Sequence, residues 1–144
     1  MKVLVDTNII LDILEEREPF YEDSYKIIQL SLEGMLDIIM SAGAVTDVYY
    51  LMRQFLRDAN KARESIFILS NLIKICNSTS NDITKALILF INDYEDAVVA
   101  AIAKREKADY IITRNEADFA GSPVPAINPA QFLERFNNNE EVVQ

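Results

Sequence analysis

Short apolar runs alternate with longer segments of helical spacing along this chain, and this alternation is the feature that most constrains its fold. Each run ends at polar residues, which is typical of strands that are buried on both faces of a sheet. The predicted strands are Lys2–Val5, Leu36–Met40, Ile73–Cys76, Asp109–Thr113 and, at an edge, Pro123–Ile127. The pattern predicts an α/β fold, a three-layer α/β/α sandwich around a mostly parallel sheet of four to five strands.

The segments between the runs are predicted to be helices, and a polar linker over 77–82 is expected to cap the fifth of them. The predicted helices are Thr7 or Asn8 to about Glu16, Phe20–Leu32, Ser41–Leu56, Asn60–Leu72, Ile83–Ile91, a helix from Asn92-Asp93 to about Lys107, and a short helix from Pro129. We expect a single domain over residues 1–136 and a flexible C-terminal tail over residues 137–144.

The residue content excludes several classes of chemistry. The 144 residues include no histidine and one cysteine, which excludes histidine-based zinc sites, Ser-His or Cys-His catalysis and an internal disulfide framework. With 14 basic and 23 acidic residues the formal net charge is -9, so binding to a polyanion requires cations or a local basic patch. No segment approaches the ~20 apolar residues of a membrane span, and the first apolar run is too short for a signal peptide. We expect a cytoplasmic protein with no membrane contact.

Three aspartates from distant parts of the chain are candidates for chemistry. Asp6 ends the first strand and is therefore expected at the carboxyl edge of the sheet, where ligands gather, although a helix-capping role explains it equally well. Asp96 is followed by an entirely apolar helical stretch. It is therefore either a first-turn residue favoured by the helix dipole or a ligand at the end of a buried helix, and the two roles are compatible. Asp47 is expected at the border of a buried helical stripe formed by Ala44, Val48, Leu51 and Phe55, where it either needs a partner for its charge or is a solvated border acid.

Other polar residues could support these acids. Asp93 lies three residues before Asp96 and could place a second carboxylate on nearly the same helix face. Thr113 and Asn115 follow the fourth strand and should also reach the carboxyl edge, with a turn role as the alternative. Asp118 is more typical of a turn.

Converging carboxylates would form an acidic pocket that requires a cation, because like charges at close range cannot all stay ionised. Ligands that are all oxygen select hard ions such as Mg²⁺ or Mn²⁺. Such an ion typically supports phosphoryl chemistry.

Several segments resemble PIN domains, and they occur in the order expected for that family. They are VLVDTNIILD (3–12), Asp96-Ala97 with its small-residue helix, YIITRN (110–115), Asp118-Phe119, and INP (127–129) followed by QFL (131–133). The resemblance implies a Rossmann-like α/β/α fold and a ribonuclease that depends on Mg²⁺ or Mn²⁺. Many bacterial members are VapC-like toxins paired with an antitoxin, and the family also includes domains like the N-terminus of PilT.

The resemblance also implies the site residues. Asp6 matches the first acid of the family and Asp96 the third, while Asp47 falls at the second, which is often glutamate. These three would hold one or two metal ions. The fourth catalytic position, often aspartate, is Asn115 here, which lowers the charge of the site; Asp93 or Asp118 could compensate.

Further roles are implied around those acids. Thr7 and Asn8 would offer hydrogen-bond donors near the metal, and Thr113 and Asn115 would position water or phosphate. No protein side chain is needed as the nucleophile.

The RNA substrate requires positive charge somewhere on this acidic chain. The densest basic run consists of Arg53, Arg57, Lys61 and Arg63, and it is predicted to contact the RNA. The alternative is that these residues lie on solvated helix faces. A second basic group consists of Lys104, Arg105, Lys107 and Arg114. An antitoxin's apolar helix could lie near Tyr49, Tyr50 or Met52, and the family resemblance makes a homodimer plausible.

Two other classes of phosphoryl-transfer protein require motifs that this sequence lacks. A phosphate-transfer receiver domain requires an acidic pair after the first strand, and a haloacid-dehalogenase-like phosphatase requires a second aspartate at position 8, which is asparagine. Both are disfavoured. The more serious alternative is a catalytically weakened PIN-like module that binds nucleic acid or protein, since Asn115 reduces the acidity of the site.

Overall fold

The computed structural model describes residues 1–143 and contains a central sheet of five parallel strands in the order β3-β2-β1-β4-β5. The strands are β1 (Lys2–Val5), β2 (Asp37–Ser41), β3 (Lys74–Cys76), β4 (Tyr110–Ile112) and β5 (Ala126–Ile127). The predicted α/β/α architecture is confirmed. Because β1 pairs with both β2 and β4, the strand order reverses at β1, and the carboxyl ends of β1 and β4 mark the switch point where such sheets form ligand crevices.

The described residues form seven α-helices and one short 3₁₀ helix, at Glu116–Phe119. The α-helices are α1 (Thr7–Leu14), α2 (Tyr21–Leu32), α3 (Ala42–Leu56), α4 (Ala59–Leu72), α5 (Ser80–Ala86), α6 (Tyr94–Arg105) and α7 (Pro129–Val143). None of the helices in residues 1–143 is long and apolar enough to cross a bilayer.

Strand side chains alternate between two hydrophobic cores, as the pleat of a strand requires. Val3 and Met40 lie in the core that α1–α4 and α7 cover. Leu4 and Ile111 lie in the core beneath α5 and α6, where α6 contributes four buried alanines. Because alanine side chains are small, α6 can pack close to the sheet, and its first turn lies near the edge where β1 ends.

Polar caps fix where the helices around that edge begin. The Ser41 hydroxyl accepts the Ala44 N–H at 3.2 Å, and the Asp93 carboxylate accepts the Asp96 N–H at 3.1 Å. Thr79 caps α5 in a reciprocal capping box with Asp82. Each such side chain satisfies a backbone donor that the helix leaves free.

Two helix lengths differ from the predictions. Helix α5 is predicted over Ile83–Ile91, but it begins at Ser80 because of its capping box and ends at Ala86. After Ala86 the backbone N–H groups donate to carbonyls three residues earlier in the chain, so the α-helical pattern stops there. Helix α7 is not short: it continues to Val143, over most of the predicted tail. Gln144 lies outside the described residues, and the flexibility of the tail and the domain limit at 136 stay predictions.

The buried face of α3 also differs from the predicted stripe. Val48 and Met52 are its buried residues, whereas Leu51 and Phe55 are 41% and 57% exposed. This helix is apolar on most of its surface, so the sequence did not identify which apolar row meets the sheet. The burial of Met52 also removes it from the surface that a partner helix could contact.

Candidate active site

Asp6 lies directly after β1 and caps α1, so its carboxylate is held from both sides. Its Oδ1 accepts the Thr7 backbone N–H at 2.9 Å. Its Oδ2 accepts the hydroxyl of Thr113, which follows β4, also at 2.9 Å. The Asn8 amide lies 3.5 Å from the same oxygen. The predicted convergence of the ends of β1 and β4 therefore takes the form of a direct hydrogen bond.

Thr113 is fully buried, and its hydroxyl is used within the protein. Besides donating to Asp6, this oxygen accepts the Asn115 backbone N–H at 3.1 Å. These hydrogen bonds orient the Asp6 carboxylate, and the predicted role of Thr113 in positioning water or phosphate stays a prediction.

All three predicted metal ligands line one cleft of about 550 Å³ at the carboxyl edge of the sheet. Asp6 comes from the end of β1, Asp47 from α3 and Asp96 from the first turn of α6. The cleft therefore collects acids that are 41 and 49 residues apart in sequence, the differences between positions 6, 47 and 96.

Asp6 and Asp96 are held in surroundings that disfavour their charge. Burial raises the pKa of Asp6, against the opposing effect of the hydrogen bonds from Thr113 and Thr7, and Asp118 raises it further. Burial and then repulsion from Asp6, Asp93, Asp118 and Glu95 raise the pKa of Asp96 to about 6. A cation in the cleft would relieve both effects.

Asp47 differs from the other two acids because its side chain is exposed. It lines the cleft from α3, and Val48 beside it carries the packing of this turn of the helix. The expected position at the border of the buried face is therefore present, but Asp47 lies on its solvent side. No group of three or more cysteine or carboxylate side chains within residues 1–143 is close enough to form a closed metal site.

Two of the supporting acids lie close enough to act on the candidate ligands. Asp118, on the 3₁₀ helix, raises the pKa values of both Asp6 and Asp96. Asp93 caps α6 and raises the pKa of Asp96. Asn115 is exposed and does not line the cleft, although its backbone is tied to Thr113.

Sequence comparison identifies the family of this fold. A model described as PIN domain matches residues 2–117. The chain belongs to the PIN domain family. Ribonuclease VapC1 of Aquifex aeolicus (strain VF5) is 29% identical over 141 residues, which cover 94% of this chain and 96% of that protein.

Solved structures agree with this assignment at the level of the fold. VapBC2 from Rickettsia felis, bound to a DNA fragment from its promoter, gives a TM-score of 0.67 at 17% identity over 89% of this chain and 98% of that chain. Mycobacterium tuberculosis VapC20, a sarcin-ricin loop cleaving toxin, gives a TM-score of 0.63 at 13% identity and covers 83% of this chain and 95% of its own chain.

The basic residues of this PIN domain lie away from its cleft. None of the four residues predicted to contact RNA lines the cleft, and all are exposed: Arg53 on α3, Arg57 directly after α3, and Lys61 and Arg63 on α4. Their contact with RNA stays a prediction. In the second basic group two arginines are held by buried acids: Arg105 by Asp82 and Arg114 by Asp12.

Those two ion pairs are features that the sequence analysis missed. The Arg114 guanidinium contacts the fully buried Asp12 carboxylate at 2.6 and 3.2 Å and lies 4.1 Å from the centre of the Phe20 ring. This clamp fixes the residue that follows Thr113. The YIITRN and VLVDTNIILD segments contain both partners, but nothing in their spacing indicates that they meet.

Several residues that line the cleft were not predicted as site residues, among them Ser78, Ile83, Tyr94 and Glu95. Tyr94 and Glu95 lie between the predicted residues Asp93 and Asp96, so proximity in sequence was a usable signal. Ser78 and Ile83 come from the linker and the helix after β3, whose approach to α6 depends on the tertiary contact between α5 and α6.

Proposed function

We propose that this PIN domain is a metal-dependent endoribonuclease that hydrolyses RNA phosphodiester bonds, as the toxin of a toxin–antitoxin pair. The observation that carries the proposal is the cleft that collects Asp6, Asp47 and Asp96 at the switch point of the sheet. The likeness to a ribonuclease over nearly the whole chain supports the same reaction.

The cleft suits Mg²⁺ or Mn²⁺. The side-chain ligands it offers are oxygens, and two of its carboxylates have raised pKa values. Asp6, Asp96 and, from the opposite wall, Asp47 would hold the ion directly or through water, as Mg²⁺ sites usually do. A bound ion of this type activates water and neutralises charge on the phosphate.

The surrounding residues keep the acids in place. Thr113 and the Thr7 N–H hold the two oxygens of Asp6 in one orientation. Asp93 caps α6 and thereby fixes the turn that carries Asp96. The acids are thus arranged before substrate arrives, which is the condition for effective electrostatic catalysis. Asn115 and Asn8 support this arrangement through Thr113 and Arg114.

RNA cleavage tests the proposal. Purified protein is incubated with a mixed RNA pool and Mn²⁺ or Mg²⁺, beside an EDTA control and Asp6→Asn purified in the same way. We expect cleavage by the wild type alone, lost with the chelator. Equal cleavage by Asp6→Asn would show that the cleavage does not depend on the acidic cleft and would contradict the proposal.

The second candidate is a binding module with a weakened site, which Asn115 and the exposed Asp47 favour. Calorimetric titration with Mn²⁺ separates the two. A folded protein that neither binds Mn²⁺ nor cuts RNA would support the binding module.

An antitoxin partner is part of the proposal, and exposed apolar residues on α3 and α4 offer a surface for it. They are Tyr50, Leu51, Phe55, Phe67 and Ile68. Co-expression with a small protein encoded beside this chain should suppress RNA cleavage, and Phe67→Ser should weaken the complex without changing the cleavage rate of the free protein. A homodimer stays a prediction that sedimentation velocity would test.

A further inference from the structure

One wall of the acidic cleft is aromatic and apolar. Tyr94, the first residue of α6, lines the cleft with Asp6 and Asp96, and Ile83 lines it from α5. The two side chains are 43% and 45% exposed. The Tyr94 hydroxyl donates a hydrogen bond to the Ile83 carbonyl at 2.8 Å. The ring is therefore anchored at its hydroxyl end, and the residue remains partly exposed in the lining of the cleft.

The charge of the cleft limits how RNA can be held there. Within the part of the chain that the structure describes, no lysine or arginine lines the cleft. Phosphates beside Asp6, Asp96 and Glu95 therefore lack a cation supplied by the protein. Apart from a bound metal ion, affinity at this point has to come from contacts other than ion pairs between lysine or arginine and the RNA backbone.

An aromatic ring provides such a contact. Stacking of a base on an aromatic side chain is tolerant of sequence, because every base has a π-face. The anchored hydroxyl of Tyr94 restricts the ring before RNA binds, so less conformational freedom is lost on stacking. A base within a duplex is already stacked on both faces and cannot use the ring, whereas a base in a single strand or loop can.

We propose that Tyr94 is the platform on which a base beside the scissile phosphate stacks. The inference rests on the proposed function, because it places the scissile phosphate at Asp6 and Asp96. Ile83 supports the platform through its carbonyl and flanks it with an apolar side chain.

The first test uses cleavage kinetics. A single-stranded RNA with a mapped cleavage site is compared with versions that carry an abasic nucleotide on one or the other side of the scissile phosphate. We expect an abasic nucleotide on one side to raise KM about tenfold for the wild type and Tyr94→Phe. Tyr94→Ala and Tyr94→Leu should raise KM about tenfold on intact RNA, with no further loss on the abasic version.

Tyr25→Ala is the matched control, because Tyr25 is 40% exposed on α2 and lies outside the cleft. It should leave the KM for both RNAs unchanged. The proposal is overturned if Tyr94→Ala, like Tyr25→Ala, leaves KM unchanged. It is also overturned if the abasic nucleotide raises KM for Tyr94→Ala by the same factor as for the wild type. Tyr94→Leu keeps apolar volume at the site and so separates loss of the aromatic face from loss of folding.

A second test does not depend on turnover. A single-stranded RNA containing a fluorescent purine analogue is bound to Asp6→Asn, with and without Tyr94→Ala. Quenching that requires Tyr94 supports stacking, whereas equal quenching by both proteins, or no binding, overturns it. If the wild type cuts no RNA, the proposed function fails, and this binding assay still decides the role of Tyr94.

Discussion

The chain buries carboxylates in two kinds of surroundings. Asp12 and Asp82, which are 0% and 1% exposed, lie against the guanidinium groups of Arg114 and Arg105. Asp6 and Asp96 lie close to other acids, and no arginine or lysine lines their part of the cleft in the described chain.

The pKa directions follow from this difference. Burial raises the pKa of Asp82, but hydrogen bonds from Arg105 and Thr79 outweigh it, and the net pKa is lowered. The pKa of Asp96 is raised to about 6, because burial and its acidic neighbours act in the same direction. A buried acid that the fold neutralises serves stability, whereas one that the fold leaves without a cation is available to a ligand.

The largest loss of activity is expected for Asp6→Asn. The substitution keeps the cap of α1 and the volume of the side chain but removes the charge. We expect RNA cleavage to fall about 1000-fold, equivalent to about 4 kcal/mol of transition-state stabilisation, with little change in the unfolding temperature. Single-turnover cleavage and thermal unfolding measure the two effects. Loss of folding in parallel with activity would place Asp6 with the structural acids.

The opposite result is expected for Asp82→Asn. The substitution removes one charge of a largely buried ion pair but leaves Arg105 paired with Glu106, and it should lower the free energy of unfolding by about 2 kcal/mol. Cleavage by the folded fraction should change less than tenfold. Urea unfolding of Asp82→Asn, Arg105→Gln and the double variant gives the coupling between the two side chains. Additive losses would show that the pair does not act as a unit.

The fold was more predictable than the distribution of these acids. Each strand is a short apolar run that ends at a polar residue, and this local signal located every strand to within a few residues. The end of β1 alone placed Asp6 at the carboxyl edge, whereas the roles of Asp47 and Asp96 depended on the family resemblance.

Pairing across the sequence was not predictable in the same way. Arg114 and Asp12 are 102 residues apart, and Arg105 and Asp82 are 23 apart, so neither pair leaves a local pattern. The one local clue was Thr79 three residues before Asp82, the spacing of a capping box. The face of α3 also stayed ambiguous, because Leu51 and Met52 are equally apolar and only tertiary packing selects Met52.

A smaller effect, of opposite sign for the two kinds of acid, is expected when pH changes in the absence of metal. The pKa of Asp96 is about 6 in the folded protein and about 4 when unfolded, so its charge destabilises the fold above pH 6, and this destabilisation disappears as pH falls towards 4. Asp96→Asn should therefore be more stable than the wild type at pH 7.5, by about 1 kcal/mol after solvent screening, and nearly equal to it at pH 4.5.

Asp82 should show the reverse dependence. Its lowered pKa contributes stability that is present above about pH 4 and is lost as pH falls further. The deficit of Asp82→Asn should thus be constant from pH 7.5 to 4.5 and shrink only below that. Urea unfolding across pH in EDTA measures both variants. Parallel curves for the two variants would contradict the division between the two kinds of acid.

The smallest effect concerns Asn115, the position at which the family resemblance predicts an aspartate. Asn115→Asp would add a negative charge next to Thr113, in a region where Asp118 already acts on Asp6 and Asp96. We expect Mn²⁺ to bind about fivefold more tightly. In partly screened surroundings an added negative charge near the cleft should improve the binding free energy of a divalent ion by about 1 kcal/mol.

The same charge should lower metal-free stability slightly, since it increases repulsion among the acids. Calorimetric titration with Mn²⁺ measures the affinity, and Asn60→Asp, an exposed position on α4, supplies the same change in net charge away from the cleft. Equal affinities for the two variants would place position 115 outside the field of the ion. Tighter binding by Asn115→Asp alone would show that this chain's site has a lower charge than the fold can accommodate, and that the asparagine limits its hold on metal.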